Sequence, residues 1–128
     1  MEPRSDQIGA AVEALGDRWT LLILRDVIFF DRRYFRALLT GSAEGIASNI
    51  LADRLVRLVE AGILARGTAA RGQRARYSLT EAGIRTVPVL SALGDWGRDW
   101  RPGSGVGDES HLRDEELMEE LRARHLGG

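Results

Sequence analysis

Four arginines lie close together in one short stretch of the chain, at Arg66, Arg71, Arg74 and Arg76, with no acidic residue among them. The planar guanidinium group can donate two parallel hydrogen bonds that match the geometry of a phosphate group. A loop that carries several like charges repels itself unless a polyanion neutralises it. The cluster is therefore a candidate contact to the phosphate backbone of a nucleic acid.

A second candidate surface lies on a predicted helix over residues 48–61. With 100° of rotation per residue, one side of this helix is apolar and the other side is polar. The apolar side, which we expect to be buried, contains Leu51, Leu55, Leu58 and Val59. The opposite side, which we expect to face solvent or a ligand, contains Asn49, Asp53, Arg57 and Glu60.

The polar side of this helix carries groups that can read base edges in the major groove. Asn49 can pair bidentately with adenine and Arg57 with guanine, while Ser48 lies in the first turn, where recognition helices touch bases. Asp53 can accept a hydrogen bond from cytosine or pair with Arg57, and Arg54 borders the apolar side, from which it can turn toward a phosphate. An ordinary solvated helix face is the alternative interpretation. The candidate DNA-binding residues are Ser48, Asn49, Asp53, Arg54, Arg57, Arg71, Arg74 and Arg76.

The spacing of apolar residues predicts the elements that position these groups. Helices are predicted over 7–15, 18–30, 33–39 and 48–61, and from residue 80 to about residue 100. Asp17 and Thr80 are the predicted N-caps of the second and the last of these helices. Strands over 63–66 and 76–79 flank the loop that carries the arginines. The predicted fold is mainly α with a small β-hairpin wing, a winged helix-turn-helix.

Composition excludes several other kinds of site. The chain has no cysteine, so disulfides, thiolate metal sites and thiol redox switches are excluded. Its two histidines, His111 and His125, lack supporting ligands at metal-binding spacing and no nucleophile motif surrounds them. We therefore expect no catalysis, no metal and no cofactor. No apolar run approaches the roughly 20 residues of a membrane helix, and no signal-peptide pattern follows Met1, so we expect a cytoplasmic protein without a membrane partner.

The C-terminal segment differs from the rest of the chain in charge. Residues 1–102 carry 15 arginines and 12 acidic residues, a net charge of +3, whereas residues 103–128 carry a net charge of −4. A glycine-rich linker over 101–107 precedes an amphipathic helix over 110–125, so we predict one domain over 1–101 and a separate segment over 102–128. The apolar residues of that helix are Leu112, Leu117, Met118 and Leu121, too few for it to fold stably alone.

Two docking sites are considered for this last helix. Near the arginine loop, its carboxylates would compete with phosphate and restrain DNA binding; these carboxylates are Asp114, Glu115, Glu119 and Glu120. If two copies of the chain associate, the last helix could instead dock across the helices that join them, where it would add interface area and stability. Its leucines favour the second site, because the arginine loop offers no apolar surface.

The helix that follows the hairpin carries an apolar stripe of Leu90, Leu93, Trp96 and Trp100. A single chain of this size has few remaining residues that could bury this stripe. Exposed apolar patches of this kind mark interfaces, so we predict a homodimer. A pocket for a small apolar effector beside Trp96 is a further hypothesis, although simple packing of Trp96 and Trp100 within the interface is favoured.

Several segments, in order, resemble the HxlR-type winged-helix regulators of bacteria. The match spans about residues 6–101 and includes ALGDRWTLLILRD at 14–26, which is similar to the family's LGxxWTLLILR signature. It continues through RRYF at 32–35, GIASNILADRL at 45–55, EAGI at 60–63 and YSLTEAG at 77–83. Several motifs at the family's spacing make this resemblance specific.

The resemblance implies a homodimer that binds a double-stranded DNA operator and regulates transcription, with repression the expected mode. It implies an interface formed by the first helix, with Ile8 and Val12 as candidate contacts, and by the helix after the hairpin. Many members carry a cysteine just before the first helix; the matching position here is Asp6, so thiol-based sensing is excluded. A winged helix that binds another protein is the alternative, which the acidic last helix favours and the arginine cluster opposes.

Overall fold

The computed structural model describes residues 3–101, 103 and 113–127. The helices are α1 (Pro3–Leu15), α2 (Arg18–Phe30), α3 (Phe35–Gly41), α4 (Ser48–Glu60), α5 (Glu81–Ile84), α6 (Val87–Trp100) and α7 (Asp114–His125). Strands β1 (Leu64–Arg66) and β2 (Tyr77–Leu79) lie between α4 and α5. This order confirms the mainly helical winged helix-turn-helix, in which α3 and α4 form the helix-turn-helix and the hairpin over 64–79 is the wing.

Helix α2 begins where the sequence predicts. The Asp17 carboxylate accepts a hydrogen bond from the backbone N–H of Thr20 at 3.0 Å, which satisfies one of the unpaired amides of the first turn. The helix then buries one face, which includes Ile23, Leu24 and Val27. These side chains anchor a core that α4, the wing and α7 share, and its members are Ile23, Leu24, Val27, Ile28, Leu38, Ile46, Leu51, Leu55, Leu58, Ile63, Leu64, Leu79, Ile84, Val87, Leu117 and Leu121.

The wing is a short antiparallel hairpin whose register pairs Leu64 with Leu79 and Arg66 with Tyr77. Gly62 ends α4 in the left-handed region, at a φ of 76°, and so lets the chain turn into β1. A Cβ atom at Gly83 would collide with the backbone carbonyl oxygen of Ile63. The absence of a side chain at residue 83 therefore allows α5 to pack against the start of the wing.

One prediction of secondary structure is wrong: the single helix expected from residue 80 to about residue 100 is broken into α5 and α6. Thr80 does cap the first piece, because its hydroxyl accepts from the N–H of Gly83 at 3.1 Å. The chain then leaves the helix at Arg85 and Thr86, and the Thr86 hydroxyl donates to the Gly83 carbonyl at 2.6 Å. Pro88 has no N–H to donate, so a continuous helix would lose a hydrogen bond there, whereas the first turn of a new helix does not need one.

Two helix starts also differ from the prediction. Helix α1 begins at Pro3 rather than at residue 7, and α3 begins at Phe35 rather than at residue 33. Tyr34 has extended backbone angles, with φ of −124° and ψ of 149°, and Arg33 precedes it outside the helix. The side chain of Arg33 is buried, and its guanidinium group donates to the Tyr77 carbonyl oxygen at 3.0 Å. A contact 44 residues away thus keeps these positions out of α3.

Helix α7 packs on the core of its own chain, against α5, α6 and β2. Leu117 and Leu121 are buried and Met118 packs against them. The carboxylates of Glu119 and Glu120 pair with arginines of α7 itself, so neither pairs with an arginine of the wing. Because α6 is one of the helices expected to join two copies of the chain, reinforcement of a dimer by α7 stays a prediction. Leu112, His111 and most of the linker lie outside the described residues.

Replacing Leu121 by alanine tests whether α7 is part of the folded domain. Leu121 is fully buried, so Leu121→Ala is expected to lower the free energy of unfolding by about 2–5 kcal/mol in urea denaturation at fixed protein concentration. Leu126→Ala removes the same atoms from a side chain that is 49% exposed just beyond α7, and a change within about 0.5 kcal/mol is expected. Equal, small changes in the two variants would show that α7 does not contribute to the core.

Candidate nucleic-acid interface

Helix α4 presents the face that the sequence predicts. Leu51, Leu55 and Leu58 are buried, and Val59 is half-buried. The exposed positions repeat at helical spacing and form one continuous strip, which consists of Ser48, Asn49, Ala52, Asp53, Val56, Arg57 and Glu60. The burial of the three leucines therefore fixes the rotation of α4 and leaves the predicted base-reading side chains at the surface.

Asp53 lies between two arginines on this strip. One of its carboxylate oxygens, Oδ2, is 2.8 Å from Nη1 of Arg54 and 3.0 Å from Nε of Arg57. The side chain of Arg57 is 66% exposed and its pairing with Asp53 joins successive turns of the helix. Of the two roles considered for Asp53, pairing with Arg57 is the one that this structure contains.

Arg54 has partners that the sequence did not indicate. Its Nε donates to Oδ2 of Asp17 at 2.8 Å and its Nη2 donates to Oδ1 of the same carboxylate at 3.2 Å. The hydrogen bonds from Arg54 hold the pKa of the Asp17 carboxyl well below its usual range. With Nη1 on Asp53, all three nitrogens of Arg54 are engaged, and the side chain fastens α4 to the start of α2. The contact of Arg54 with a phosphate stays a prediction.

The turn between α3 and α4 is fastened by a second ion pair. Arg25, on α2, donates to both carboxylate oxygens of Glu44 at 2.8 Å, and its Nε donates to Asp26 at 2.9 Å. The hydrogen bonds from Arg25 lower the pKa of the Glu44 carboxyl. Both ends of the segment that positions the first turn of α4 are thereby tied to α2.

The wing carries its arginines on an exposed loop. The N–H of Gln73 donates to the carbonyl of Ala70 at 2.9 Å and closes a turn with Arg71 and Gly72 at its centre. Gly72 has a φ of 83°, a value that glycine adopts without strain. Arg66, Arg71, Arg74 and Arg76 are all exposed or half-buried, and Arg71 lies at the tip.

The wing also contacts α3 through Arg74. Its guanidinium group lies 4.7 Å from the centre of the Tyr34 ring, the residue that precedes α3. A groove of about 420 Å³ runs between α3 and the wing, and Arg36, Arg66 and Arg74 line it together with Phe35 and Tyr77. Arginines from two different elements therefore share one concave surface.

Arg36 is a member of this surface that the sequence analysis missed. It lies on α3, is exposed, and reaches the groove beside the wing. The sequence does contain a local signal, because α3 buries Leu38 and half-buries Phe35 and Leu39, which turns Arg36 to the outside. The proximity of Arg36 to the wing depends on tertiary packing and has no local signal.

The residues expected at a dimer interface lie on α1 and α6. Ile8, Val12, Leu93, Trp96 and Trp100 are exposed in the single chain, and Trp100 is 65% exposed. Leu90 differs from the others because it packs against the core. The prediction of an uncovered apolar stripe therefore applies to Leu93, Trp96 and Trp100, while Leu90 anchors α6 to its own chain.

Metal sites and membrane-spanning helices are two further features for which the described residues can be compared with known requirements. This part of the chain contains no group of three or more histidine, aspartate or glutamate side chains that could hold a metal ion. The helices of the same residues are too short or too polar to cross a membrane. The concentration of arginines on the wing and α3 is thus the main chemical feature of the surface.

Comparisons with known proteins agree with this fold. The family described as HxlR-like helix-turn-helix matches residues 14–104. The uncharacterized HTH-type transcriptional regulator Rv3095 of Mycobacterium tuberculosis is 33% identical over 126 residues, which cover 95% of this chain and 78% of that protein.

Two solved structures are similar in shape and sequence. The crystal structure of PA1607, a candidate transcription factor, superposes with a TM-score of 0.63 at 37% identity over 80% of this chain and 68% of that one. The reduced form of the transcriptional regulator YodB from B. subtilis superposes with a TM-score of 0.62 at 27% identity over 81% of this chain and 99% of that one. From its motifs, its fold and these matches, the chain belongs to the HxlR-like helix-turn-helix family of DNA-binding transcriptional regulators.

Proposed function

We propose that this protein acts as a homodimeric repressor that binds a double-stranded operator through α4 and the wing and that has no catalytic role. The observation that carries the proposal is the distribution of unpaired arginines. Within the described residues, nine arginines form ion pairs with carboxylates, namely Arg25, Arg32, Arg54, Arg57, Arg85, Arg98, Arg113, Arg122 and Arg124. Across the same residues, Arg36 and the four arginines of the wing form no ion pair with a carboxylate. Three other arginines without such a pair are engaged elsewhere: Arg33 is buried, and Arg18 and Arg101 each lie over a tryptophan ring.

This distribution leaves five arginines beside one groove and one hairpin without a carboxylate partner, whereas most arginines elsewhere on the described surface have one. An unpaired surface arginine costs little in water, but five near one groove and one hairpin generate a local positive potential. Each arginine that neutralises a phosphate releases counterions and adds salt-dependent affinity. The wing and Arg36 are accordingly proposed to contact the DNA backbone, which fixes position and supplies most of the affinity.

Helix α4 is proposed to supply sequence preference. Ser48 and Asn49 lie exposed in its first turn, and Arg57 lies two turns further along the same strip. The pairing of Arg57 with Asp53 restricts the directions that the guanidinium group can take before DNA arrives. A pre-oriented arginine loses less conformational entropy when it binds a base than a free one does.

Dimerisation is proposed because α1 and α6 leave their apolar side chains uncovered. Leu93, Trp96 and Trp100 are exposed along one helix, and contiguous exposed apolar side chains of this kind mark interaction sites. A twofold dimer also places two copies of α4 against two half-sites of one operator. Repression is the proposed mode, because a dimer that occupies promoter DNA blocks the polymerase sterically and needs no further contact.

Removal of arginines from the wing should reduce the salt dependence of DNA binding. Arg71→Ala and Arg74→Ala should each weaken binding to specific and random duplexes alike. Each should also reduce the slope of log K against log salt by about one unit for every phosphate that the protein no longer neutralises. Fluorescence anisotropy across a salt titration measures the slope.

Two control variants accompany this titration. Arg74→Lys keeps the charge and should keep the slope, and Arg85→Ala, which removes an arginine already paired with Glu81, should also leave it unchanged. Wild-type slopes in both alanine variants of the wing would contradict a backbone contact by the wing.

Loss of Arg57 should change sequence preference rather than salt dependence. With an operator selected from a pool of random duplexes, Arg57→Ala should lose about 1–3 kcal/mol of binding free energy for the selected site if the side chain makes a bidentate base contact. Glu60→Ala, on the last turn of the same strip, is the matched control and should lose little. If Arg57→Ala weakens random and selected duplexes equally, Arg57 contacts the backbone and the proposed base contact is wrong.

A charge placed on the uncovered face of α6 should produce a monomer. Leu93→Asp would place a carboxylate inside the proposed interface, where it has no partner and loses its hydration. Analytical ultracentrifugation at tens of micromolar is expected to show a dimer for the wild type and a monomer for Leu93→Asp. Val56→Asp changes a similarly exposed apolar residue on α4 and should remain a dimer. A monomeric wild type would overturn the proposal of dimerisation.

A further inference from the structure

Helix α7 is tied to three other elements along its length. At its start, the Ser91 hydroxyl of α6 donates to the Asp114 carboxylate at 2.7 Å. Near its end, Arg122 donates to both carboxylate oxygens of Glu81, on α5, at 2.9 and 2.8 Å. Because Leu117 and Leu121 are buried between these contacts, α7 is held as a fixed part of the domain.

The last residue of α7 reaches the wing. The imidazole of His125 is buried, with 9% of the residue exposed, and its Nδ1 accepts a hydrogen bond from the backbone N–H of Leu79 at 2.8 Å. An accepting Nδ1 requires the neutral ring with its proton on Nε2. That Nε2 is buried and has no hydrogen-bond partner among the described residues.

The bond from Leu79 closes the outer edge of the hairpin. On the side of β2 away from β1, the N–H of Tyr77 donates to the Arg33 carbonyl at 2.8 Å, and the Arg33 guanidinium donates to the Ser78 hydroxyl at 2.6 Å. A hairpin of two three-residue strands is marginal by itself, so contacts at this edge set its position on the domain. Arg33 holds the middle of the edge, and His125 holds the end where β2 enters the core.

We propose that His125 is a positioning residue: by joining α7 to β2, it sets the orientation of the wing toward DNA without touching DNA. The inference rests on the proposed function, because it matters only if the wing contacts the backbone. It assigns a role to the end of the chain, beyond residue 104 where the match to the family ends.

The surroundings of His125 resist its protonation. The charged groups that face it are Arg33 and Asp31 from the segment after α2, Arg76 from the wing and Arg124 from α7 itself. Burial, with help from the positive charge of Arg33, lowers the pKa of His125 to about 4. Protonation would also remove the acceptor of the Leu79 amide, so the neutral ring is required by the contact itself.

The consequence for stability has a definite sign. Between about pH 6.5 and about pH 4 the unfolded chain protonates this histidine while the folded chain does not. Protonation of the unfolded chain therefore lowers the free energy of unfolding progressively as the pH falls through this window. Above the unfolded pKa of His125 this loss of stability does not occur. His125→Gln removes the titration, so the loss of stability between pH 7 and pH 4.5 should be smaller in this variant than in the wild type.

Two substitutions at residue 125 test the positioning role in the full chain. His125→Leu fills the site without an acceptor, whereas the amide oxygen of His125→Gln can still accept from the Leu79 N–H. In His125→Leu, hydrogen exchange at the Leu79 amide should accelerate about tenfold and DNA affinity should fall several-fold, with an unchanged salt slope because no arginine is removed. His125→Gln should restore part or all of both properties.

The outcomes separate the inference from the proposed function. Wild-type exchange at Leu79 in His125→Leu would show that the contact does not hold β2, and faster exchange with wild-type DNA affinity would show that the contact does not position the wing. Either result overturns the inference while wild-type DNA binding still stands.

Other variants at residue 125 test the inference if His125→Leu does not fold. If His125→Leu does not fold, His125→Gln with faster Leu79 exchange and weaker DNA binding at the wild-type salt slope supports the inference. If His125→Gln matches the wild type, His125→Ala removes the hydrogen-bond acceptor for the Leu79 N–H. Its Leu79 exchange and its DNA affinity are then judged as for His125→Leu. If neither the wild type nor any variant binds DNA, the proposed function fails, although Leu79 exchange still reports the contact.

Discussion

The orientation of α4 depends on one constraint, the burial of Leu51, Leu55 and Leu58 against α2 and its neighbours. A helix that buries one stripe of leucines has no freedom to rotate, because a turn of even one residue would expose apolar atoms to water. The sequence preference proposed for α4 depends on that fixed rotation. Arg54 reinforces it from the edge of the stripe, where the Asp17 carboxylate caps α2 and binds α4 at the same time. The carboxylate of Asp17 thereby connects the start of α2 to α4, the helix that is proposed to face DNA.

The position of the charged side chains is more informative than the net charge of the chain. Whole-chain net charge is −1, a value that gives no indication of a polyanionic ligand. In the fold, carboxylates pair with Arg25 of α2 and with the arginines of α4, α6 and α7, whereas no arginine of the wing pairs with one on the described surface. This division also distinguishes two contributions within the proposed interface. The wing is suited to sequence-independent attraction, and α4, where Asp53 restrains Arg57, is suited to discrimination.

Local patterns in the sequence predicted the elements well and the long-range contacts poorly. The caps at Asp17 and Thr80, the buried stripe of α4 and the position of the hairpin all depend on residues a few positions apart, and all were predicted. Pro88 is a local signal for the start of a new helix, but the apolar stripe that continues across residues 80–100 favoured a single helix. The pairing of Arg54 with Asp17 spans 37 residues and the bond from Leu79 to His125 spans 46, so no spacing rule could reveal either. The leucines of α7 favour an apolar docking surface, but its contacts with α5 and β2 are long-range and have no local signal.

The length of α7 has a mechanical consequence. Twelve helical residues extend for about 18 Å, and the ends of this rod are bonded to α6 at Ser91 and to β2 at Leu79. An α-helix of this length resists compression and bending, so the separation between those two points is nearly constant. If the protein dimerises through α6 as proposed, a shift of α6 must move the base of the wing with it or break one of the end bonds. In the proposed dimer, the geometry of subunit association and the reach of the hairpin would therefore be coupled through α7.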